Sequence, residues 1–388
     1  MSGALGEESE AVLPASRPSL VDRLRGWYAR MVVDPQFRRW AASFPLTRPI
    51  ARREARAAFD LCAGFVYSQI LFACVRLRVL DLLAEGAMAA DEVARSADLT
   101  PERAGRLLDA AVALGLLRRD AEGRYALAAR GALIGADPGI RAMIEHHAMV
   151  YRDLADTVAL LRAGRAETRL NGYWGYAASP DPGALDEGRV AAYSRLMSAS
   201  LPMVADEILD AYPLGRHRRV LDIGGGEGGF LIAAGRRWPG LALTLFDLPA
   251  VAARARANFT AAGLDDLAVA HGGDMRRDAL PRGADVATLV RVLHDHDDDS
   301  AMAILRAARA ALDPGGVLLI GEPMAEAPGA AAVGDAYFGF YLLSMGQGRA
   351  RAPARLAGML DAAGFAGVRH RPTRLPLVAG VTTAVARR

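Results

Sequence analysis

The stretch VLDIGGGEGG, Val220 to Gly229, breaks an apolar run into glycines, and its spacing fits two cofactors. Gly224, Gly226 and Gly229 match the G-x-G-x-x-G of a dinucleotide fold, whereas Asp222, Gly224, Gly226 and Gly228 match the D-x-G-x-G-x-G turn that holds S-adenosylmethionine. Both ligands need glycine here, because the chain must turn sharply out of a strand and bring backbone N–H groups to the ligand without Cβ interference. Both also use a carboxylate at the end of the next strand to bind ribose hydroxyls, and Asp247 stands about 20 residues on. The loop and Asp247 leave the choice open. Asp222 tilts it: a pyrophosphate would be repelled by an acid at the mouth of the turn, whereas the ammonium of S-adenosylmethionine can pair with it. Gly273-Asp274-Met275 follows the next apolar run, where an acid can accept from an adenine amino group and a methionine can pack on the ring. The run after that ends in RVLHDHDDD, Arg291 to Asp299, which sets two histidines among four aspartates.

Chemistry at successive strand ends requires a sheet that delivers those ends to one edge. After Tyr212 the pattern alternates strands with helices, the mark of an α/β, doubly wound, mostly parallel seven-stranded sheet. Strands are predicted at Arg219–Ile223, Ala242–Asp247, Leu267–His271, Val286–Val290 and Val317–Glu322, with Gly367–Arg371 and Val378–Ala386 as a terminal pair. Upstream, residues 90–96 read as a helix, and Thr100 as N-cap with Pro101 at the first helical position opens another that ends near Gly115. Leu116-Leu117 and Tyr125-Ala126-Leu127 around Glu122-Gly123 make a small hairpin, completing a winged helix. The start of the chain to about residue 15 reads as a disordered tail, followed by helices broken at Phe44-Pro45. From Phe59 to Ala84 apolar residues at helical spacing predict a largely buried helix pair. The domains expected are 1–58, tail and arginine-rich helical arm; 59–137, winged helix; 138–200, helical linker and pocket region; and 201–388, catalytic domain.

A winged helix raises the question of DNA. The third helix, ERAGRLLDAAVALGLL, is mostly small and apolar, with Arg103 and Arg106 near its start, so it suits a second subunit better than a major groove. No nucleic-acid partner is expected. With 52% hydrophobic and 23% charged residues in 388, the composition is that of a globular enzyme. No apolar run reaches the roughly 18 to 20 residues of a membrane helix; Leu61 to Val75 ends at Arg76. MSGALGEESEAVLPAS lacks a signal pattern, so a cytoplasmic protein is expected. Cys62 and Cys74 read as small buried side chains, and no metal site is expected. Every basic residue is arginine, and ten of them from Arg17 to Arg56 crowd the first segment among Trp27, Tyr28, Phe37, Trp40 and Phe44. That arm is either packed on a partner subunit or a peripheral contact for anionic lipid headgroups.

VLDIGGGEGG, FDLPAV (Phe246 to Val251), GGDM (Gly272 to Met275) and VLHDHDDD (Val292 to Asp299) together resemble the motifs of SAM-dependent O-methyltransferases with an N-terminal winged-helix dimerisation domain, the plant caffeate and acetylserotonin type. The likeness covers the chain from about Phe59 onward. Phe44 to Val75 and Tyr193 to Tyr212 resemble the bacterial carotenoid members that methylate hydroxyneurosporene or demethylspheroidene. The resemblance implies S-adenosylmethionine as cofactor, a homodimer, and a hydrophobic small-molecule substrate.

It also implies roles for single residues. His294 is the general base, Glu322 the acid that hydrogen-bonds it and fixes its tautomer, and Asp295 a contact to substrate or cofactor. Asp222, Gly224, Gly226 and Gly228 form the cofactor turn; Asp247 with Leu248 holds the ribose; Asp274 and Met275 the adenine. Arg291 stands where relatives carry a cofactor-contacting lysine, or else is a surface ion pair, and Ser198 matches a contact to the methionine moiety. His296 replaces a tryptophan and reads as a surface or packing residue. Relatives carry a second supporting glutamate where Ala350 stands, so His294 is expected to lean on Glu322 alone. The family's pocket positions hold Met197, Met203, Tyr337, Phe338, Tyr341, Leu342 and Met345, with Tyr173 and Trp174 from a loop, a wall suited to a long hydrocarbon. The implied activity is methylation of the tertiary hydroxyl of an acyclic carotenoid. The alternatives are an O-methyltransferase of an aromatic polyketide or other phenol, and a winged-helix DNA-binding regulator with a SAM-sensing domain.

Overall fold

The computed structural model describes residues 19–163, 168–174 and 187–388, without the side chains of 187–195. The expected tail, and much of the loop after Trp174, lie outside the described residues. The chain divides into two compact units, Met1–Ile70 and Leu71–Arg388.

In the first unit, α1 (Leu20–Val33) opens on a capping box between Ser19 and Asp22, and α2 (Pro35–Ser43) is capped by Asp34 with proline at its first position. The break at Phe44-Pro45 is present, and α3 (Arg48–Arg76) begins after it. Contrary to the expected buried pair, Phe59, Leu61 and Phe65 of α3 are exposed, Leu61 by 87%. The helix carries an 18-residue window of mean hydropathy 1.7 that is 11% buried, long and apolar enough to cross a membrane by length and composition. The count of consecutive large apolar residues missed it, because Ala, Gly, Ser and Cys extend the apolar stretch between them. Cys62 lies on the uncovered side and is exposed; Cys74 is buried, which pushes its thiol up to about 12.

In the second unit, α4 (Val79–Ala84), α5 (Ala90–Ser96) and α6 (Pro101–Ala113) precede a hairpin of β1 (Leu117–Arg119) and β2 (Tyr125–Leu127). The hydroxyl of Thr100 accepts the N–H of Arg103 at 3.3 Å, the cap expected from its position. Helices α7 (Ala129–Ala136), α8 (Pro138–Asp153), α9 (Thr157–Arg162), α10 (Arg169–Tyr173) and α11 (Glu187–Ala211) lead to the sheet.

There β3 (Arg219–Ile223), α12 (Gly229–Arg237), β4 (Ala242–Asp247), α13 (Pro249–Ala261), β5 (Ala268–Gly272), β6 (Ala284–Val290), α14 (Asp298–Ala311) and β7 (Leu312–Glu322) follow one another. A π-helical turn (Ala332–Phe338), α15 (Gly339–Met345), α16 (Pro353–Ala362), β8 (Phe365–Arg371) and β9 (Gly380–Ala386) complete the chain. The seven strands lie in the order β5-β4-β3-β6-β7-β9-β8, parallel except for β9, which pairs antiparallel with both neighbours. Strand β7 starts five residues earlier than predicted, because Leu312 pairs with Ala284 across a register shift.

Period-two alternation explains the two helical layers. Leu221, Ile223, Leu318 and Ile320 face one cluster with Ile304 and Leu305 of α14 and Leu356 and Leu360 of α16. Val220, Leu243, Leu245 and Leu319 face the other, with Ile208 of α11, Phe230 of α12 and Phe259 of α13. The parallel strands therefore end together, each passing its next residue to one edge.

Candidate active site

At that edge β3 delivers Asp222, which is fully buried. The Thr288 hydroxyl on β6 donates to its Oδ1 at 2.6 Å, and Oδ2 has no hydrogen-bond partner among the described residues. Burial pushes the carboxyl up to about 7, against the Thr288 hydrogen bond and with help from the charge of Asp247. A buried oxygen without a donor is costly, and an incoming cation would satisfy it.

Beyond Asp222 the chain turns through Gly224 and Gly226, whose φ values of 69° and 59° suit glycine. A Cβ on Gly225 would sit 2.6 Å from Asp222 Oδ2, so the turn closes directly over that carboxylate. Gly228 does not line the cleft. It starts α12 under the ring of Phe259, 2.5 Å from where its Cβ would be, so its smallness serves packing. Asp247 ends β4 and accepts the Gly226 N–H at 2.8 Å on Oδ2 and the Leu248 N–H at 2.7 Å on Oδ1. Burial raises its carboxyl to about 6, opposed by these two bonds.

Asp274 and Met275, after β5, line the same cleft. Both Asp274 oxygens accept from the Arg276 guanidinium, at 3.0 and 2.8 Å. Arg291, after β6, has a positive φ of 56° and turns toward α11, donating to the Ser200 hydroxyl at 2.8 Å and the Met197 carbonyl at 2.9 Å. It bridges two elements that border the cleft. Ser198 of α11 donates to Glu227 Oε2 at 2.9 Å, and Arg254 holds Glu227 Oε1 at 2.6 Å. The sequence reading passed over Glu227 because it sits inside the glycine turn and its partners lie 27 and 29 residues away.

His294 sits in a short turn, Leu293–Asp295, and is buried. Its Nδ1 lies 3.2 Å from Glu322 Oε2 at the end of β7, and its Nε2 lies 3.2 Å from Asp295 Oδ1. The expected reliance on Glu322 alone is therefore incomplete. Burial disfavours the charged ring, but Asp295 and Glu322 together outweigh it and raise the pKa above its ordinary value. Asp295 lines the cofactor cleft, as does His296. His296 is not a surface residue; it is 3% exposed, because the turn folds it inward.

A second side chain from far along the sequence holds this turn. Arg351 is fully buried and donates to the carbonyls of Leu293 at 2.6 Å and His296 at 2.8 Å, and to Asp298 at 3.0 Å. The Arg349 N–H donates to the His294 carbonyl at 2.7 Å.

On the other side of His294 the Phe338 ring stands edge-on, centroids 5.8 Å apart. Phe338, Tyr337, Met197 and Tyr173 pack against a cluster of Trp174, Tyr341, Leu342 and Met345, which Met203 does not join. Two histidines not anticipated from the sequence stitch it together: His146 Nε2 is 2.7 Å from the Tyr341 hydroxyl and His147 Nε2 is 2.8 Å from that of Tyr337. The Trp174 N–H also donates to Tyr341, at 2.8 Å. Burial, then the neighbouring His147, lowers His146 to about 4, so it is neutral near pH 7.

The O-methyltransferase domain family matches residues 151–366, and the O-methyltransferase dimerisation domain matches residues 59–135. Demethylspheroidene O-methyltransferase of Cereibacter sphaeroides is 43% identical over 92% of this chain and 93% of its own length. The enzyme of that name from Rhodobacter capsulatus is 39% identical over 96% and 92%. The chain belongs to the SAM-dependent O-methyltransferases.

Among solved structures, human N-acetylserotonin methyltransferase in complex with SAM superposes with a TM-score of 0.72, at 25% identity over 86% of this chain and 98% of that one. This O-methyltransferase therefore has the class I methyltransferase fold, and its cofactor is S-adenosylmethionine. The residues fit that cofactor: a buried, partnerless carboxylate oxygen for the ammonium, and a glycine turn where side chains would intrude. The dimerisation domain marks the O-methyltransferase as a homodimer.

Proposed function

We propose that this enzyme methylates the tertiary hydroxyl of an acyclic carotenoid of the 1-hydroxyneurosporene or demethylspheroidene type. The observation that carries the reading is the identity to two demethylspheroidene O-methyltransferases over nearly the full length of both chains. The apolar and aromatic wall beside His294 supports it, since a long hydrocarbon needs such a lining.

Bound S-adenosylmethionine supplies an electrophilic sulfonium methyl. Asp222 would hold its ammonium, Asp247 its ribose, and Asp274 and Met275 its base. His294 takes the hydroxyl proton on Nε2, while Glu322 keeps the other proton on Nδ1. In the free chain the Asp295 carboxylate sits beside Nε2, so the ring must lose its charge and present a lone pair before it can act. A tertiary alcohol is too weak an acid for imidazole to form its alkoxide beforehand, so proton removal accompanies attack. Burial excludes water, so the new bond forms where charge dispersal is favoured.

The substrate resides in a bilayer, and we place the enzyme in the cytoplasm with the arginine-rich first unit as its peripheral membrane contact. Exposed Trp27, Tyr28, Trp40 and Phe44 beside those arginines supply the chemistry. Flotation with anionic vesicles at low salt, lost at high salt and with neutral vesicles, is the expected behaviour; equal flotation of a chain starting near Phe59 contradicts it.

Purified enzyme with methyl-labelled cofactor, offered an acyclic 1-hydroxycarotenoid and a panel of phenols, tests the substrate. Label in the carotenoid is expected; label confined to a phenol overturns the assignment.

A further inference from the structure

We infer that His296 reads the adenine of the cofactor, its Nδ1 accepting a hydrogen bond from the purine 6-amino group. The inference rests on the cofactor assignment above and deepens it. Three observations carry it. His296 lines the same cleft as Asp274, Met275 and Arg276, the residues assigned to the nucleobase, lies within electrostatic reach of Arg276, and is 3% exposed. Its Nδ1 is buried with no hydrogen-bond partner among the described residues, in a fold where such atoms are nearly always paired. Its backbone is pinned, with the carbonyl held by Arg351 at 2.8 Å and the N–H donating to Leu293 at 3.2 Å, so the ring has a defined place.

The chemistry is specific to this chain. The acid expected to meet the adenine amino group, Asp274, already accepts from Arg276 on both oxygens. A tryptophan, expected here by resemblance, carries only a donor, whereas a neutral imidazole carries an acceptor as well. Burial favours the neutral ring, and the Arg276 charge works in the same direction against the nearby acids Asp295 and Asp297.

Titration calorimetry of the intact enzyme with S-adenosylhomocysteine and with S-inosylhomocysteine, whose 6-oxo group cannot donate, tests this. The unmodified enzyme is expected to prefer the adenosyl ligand about 10-fold, the worth of one buried hydrogen bond. His296→Phe, which keeps the ring volume, should bind the adenosyl ligand about 10-fold more weakly and lose the preference. His296→Asn, which places a hydrogen-bonding group near the Nδ1 position, should retain it. Unchanged affinity in His296→Phe, or an equal loss for both ligands, overturns the inference. Failure of the unmodified enzyme to bind either ligand would instead strike the cofactor assignment beneath it.

Discussion

Oε2 of Glu322 meets His294 twice, accepting the backbone N–H at 3.1 Å and facing the ring Nδ1 at 3.2 Å. One carboxylate oxygen thus sets both the position of the turn and the tautomer of the ring. Replacing Glu322 by Gln removes a charge that raises the His294 pKa while leaving a group able to accept from the backbone. The base works when neutral, so activity rises with pH through its pKa. In Glu322→Gln that acidic limb should move to lower pH, with the plateau of kcat reduced ~10-fold or more. pH profiles of kcat and of kcat/KM check the two; an unmoved limb contradicts the role.

His294→Ala should lower kcat by at least ~100-fold and leave the affinity for S-adenosylhomocysteine within about twofold, because the ring does not line the cofactor cleft. Single-turnover kinetics beside calorimetry separates the two quantities.

Asp222 should oppose stability in the ligand-free chain. The folded state holds its proton more tightly than the ordinary 3.8, so the stability this gives is fully present below about 4 and lost as pH rises toward about 7. Asp222→Asn should therefore raise the melting temperature at pH 8 while weakening S-adenosylhomocysteine at least ~10-fold. Thermal melts at pH 5 and pH 8 should show a clearly larger gain at the higher pH.

Arg351 is buried against Asp298 and the carbonyls of Leu293, His296 and Arg349, and its loss strands the His296 carbonyl, since Asp298 keeps Arg355 and the Leu293 carbonyl keeps the His296 N–H. Arg351→Met should cost about 2 kcal/mol in urea unfolding, the worth of leaving a buried carbonyl without its donor. Because it holds the turn that carries His294, kcat should fall more than the cofactor affinity does.

The strands were legible wherever an apolar run ended in glycine or an acid: the predicted bounds of β3 and β4 match, and β5 is displaced by one residue. The turn at Asp222 was legible for the same reason, since glycine adopts its positive φ angles most readily. What escaped depends on distance. Arg351 reaches 58 residues back to Leu293 and Tyr341 reaches 195 back to His146, pairings that no local spacing encodes. For His296 the sequence left surface and packing open, and its place on the cleft depends on how the turn folds. The exposure of α3 escaped because its apolar periodicity says that a face must be covered but not by what.

The central claim is that the orphaned oxygen of Asp222 receives the cofactor's ammonium. Calorimetry of S-adenosylhomocysteine binding near pH 7, repeated in buffers of different ionisation enthalpy, measures it most directly. An ammonium beside this carboxyl pulls down a pKa that burial holds near 7, so binding should release a proton, and affinity should weaken as pH falls below that value. Binding with no proton release and no dependence on pH between 5.5 and 8, or heat from a pyrophosphate dinucleotide and none from the S-adenosyl ligand, would contradict the account.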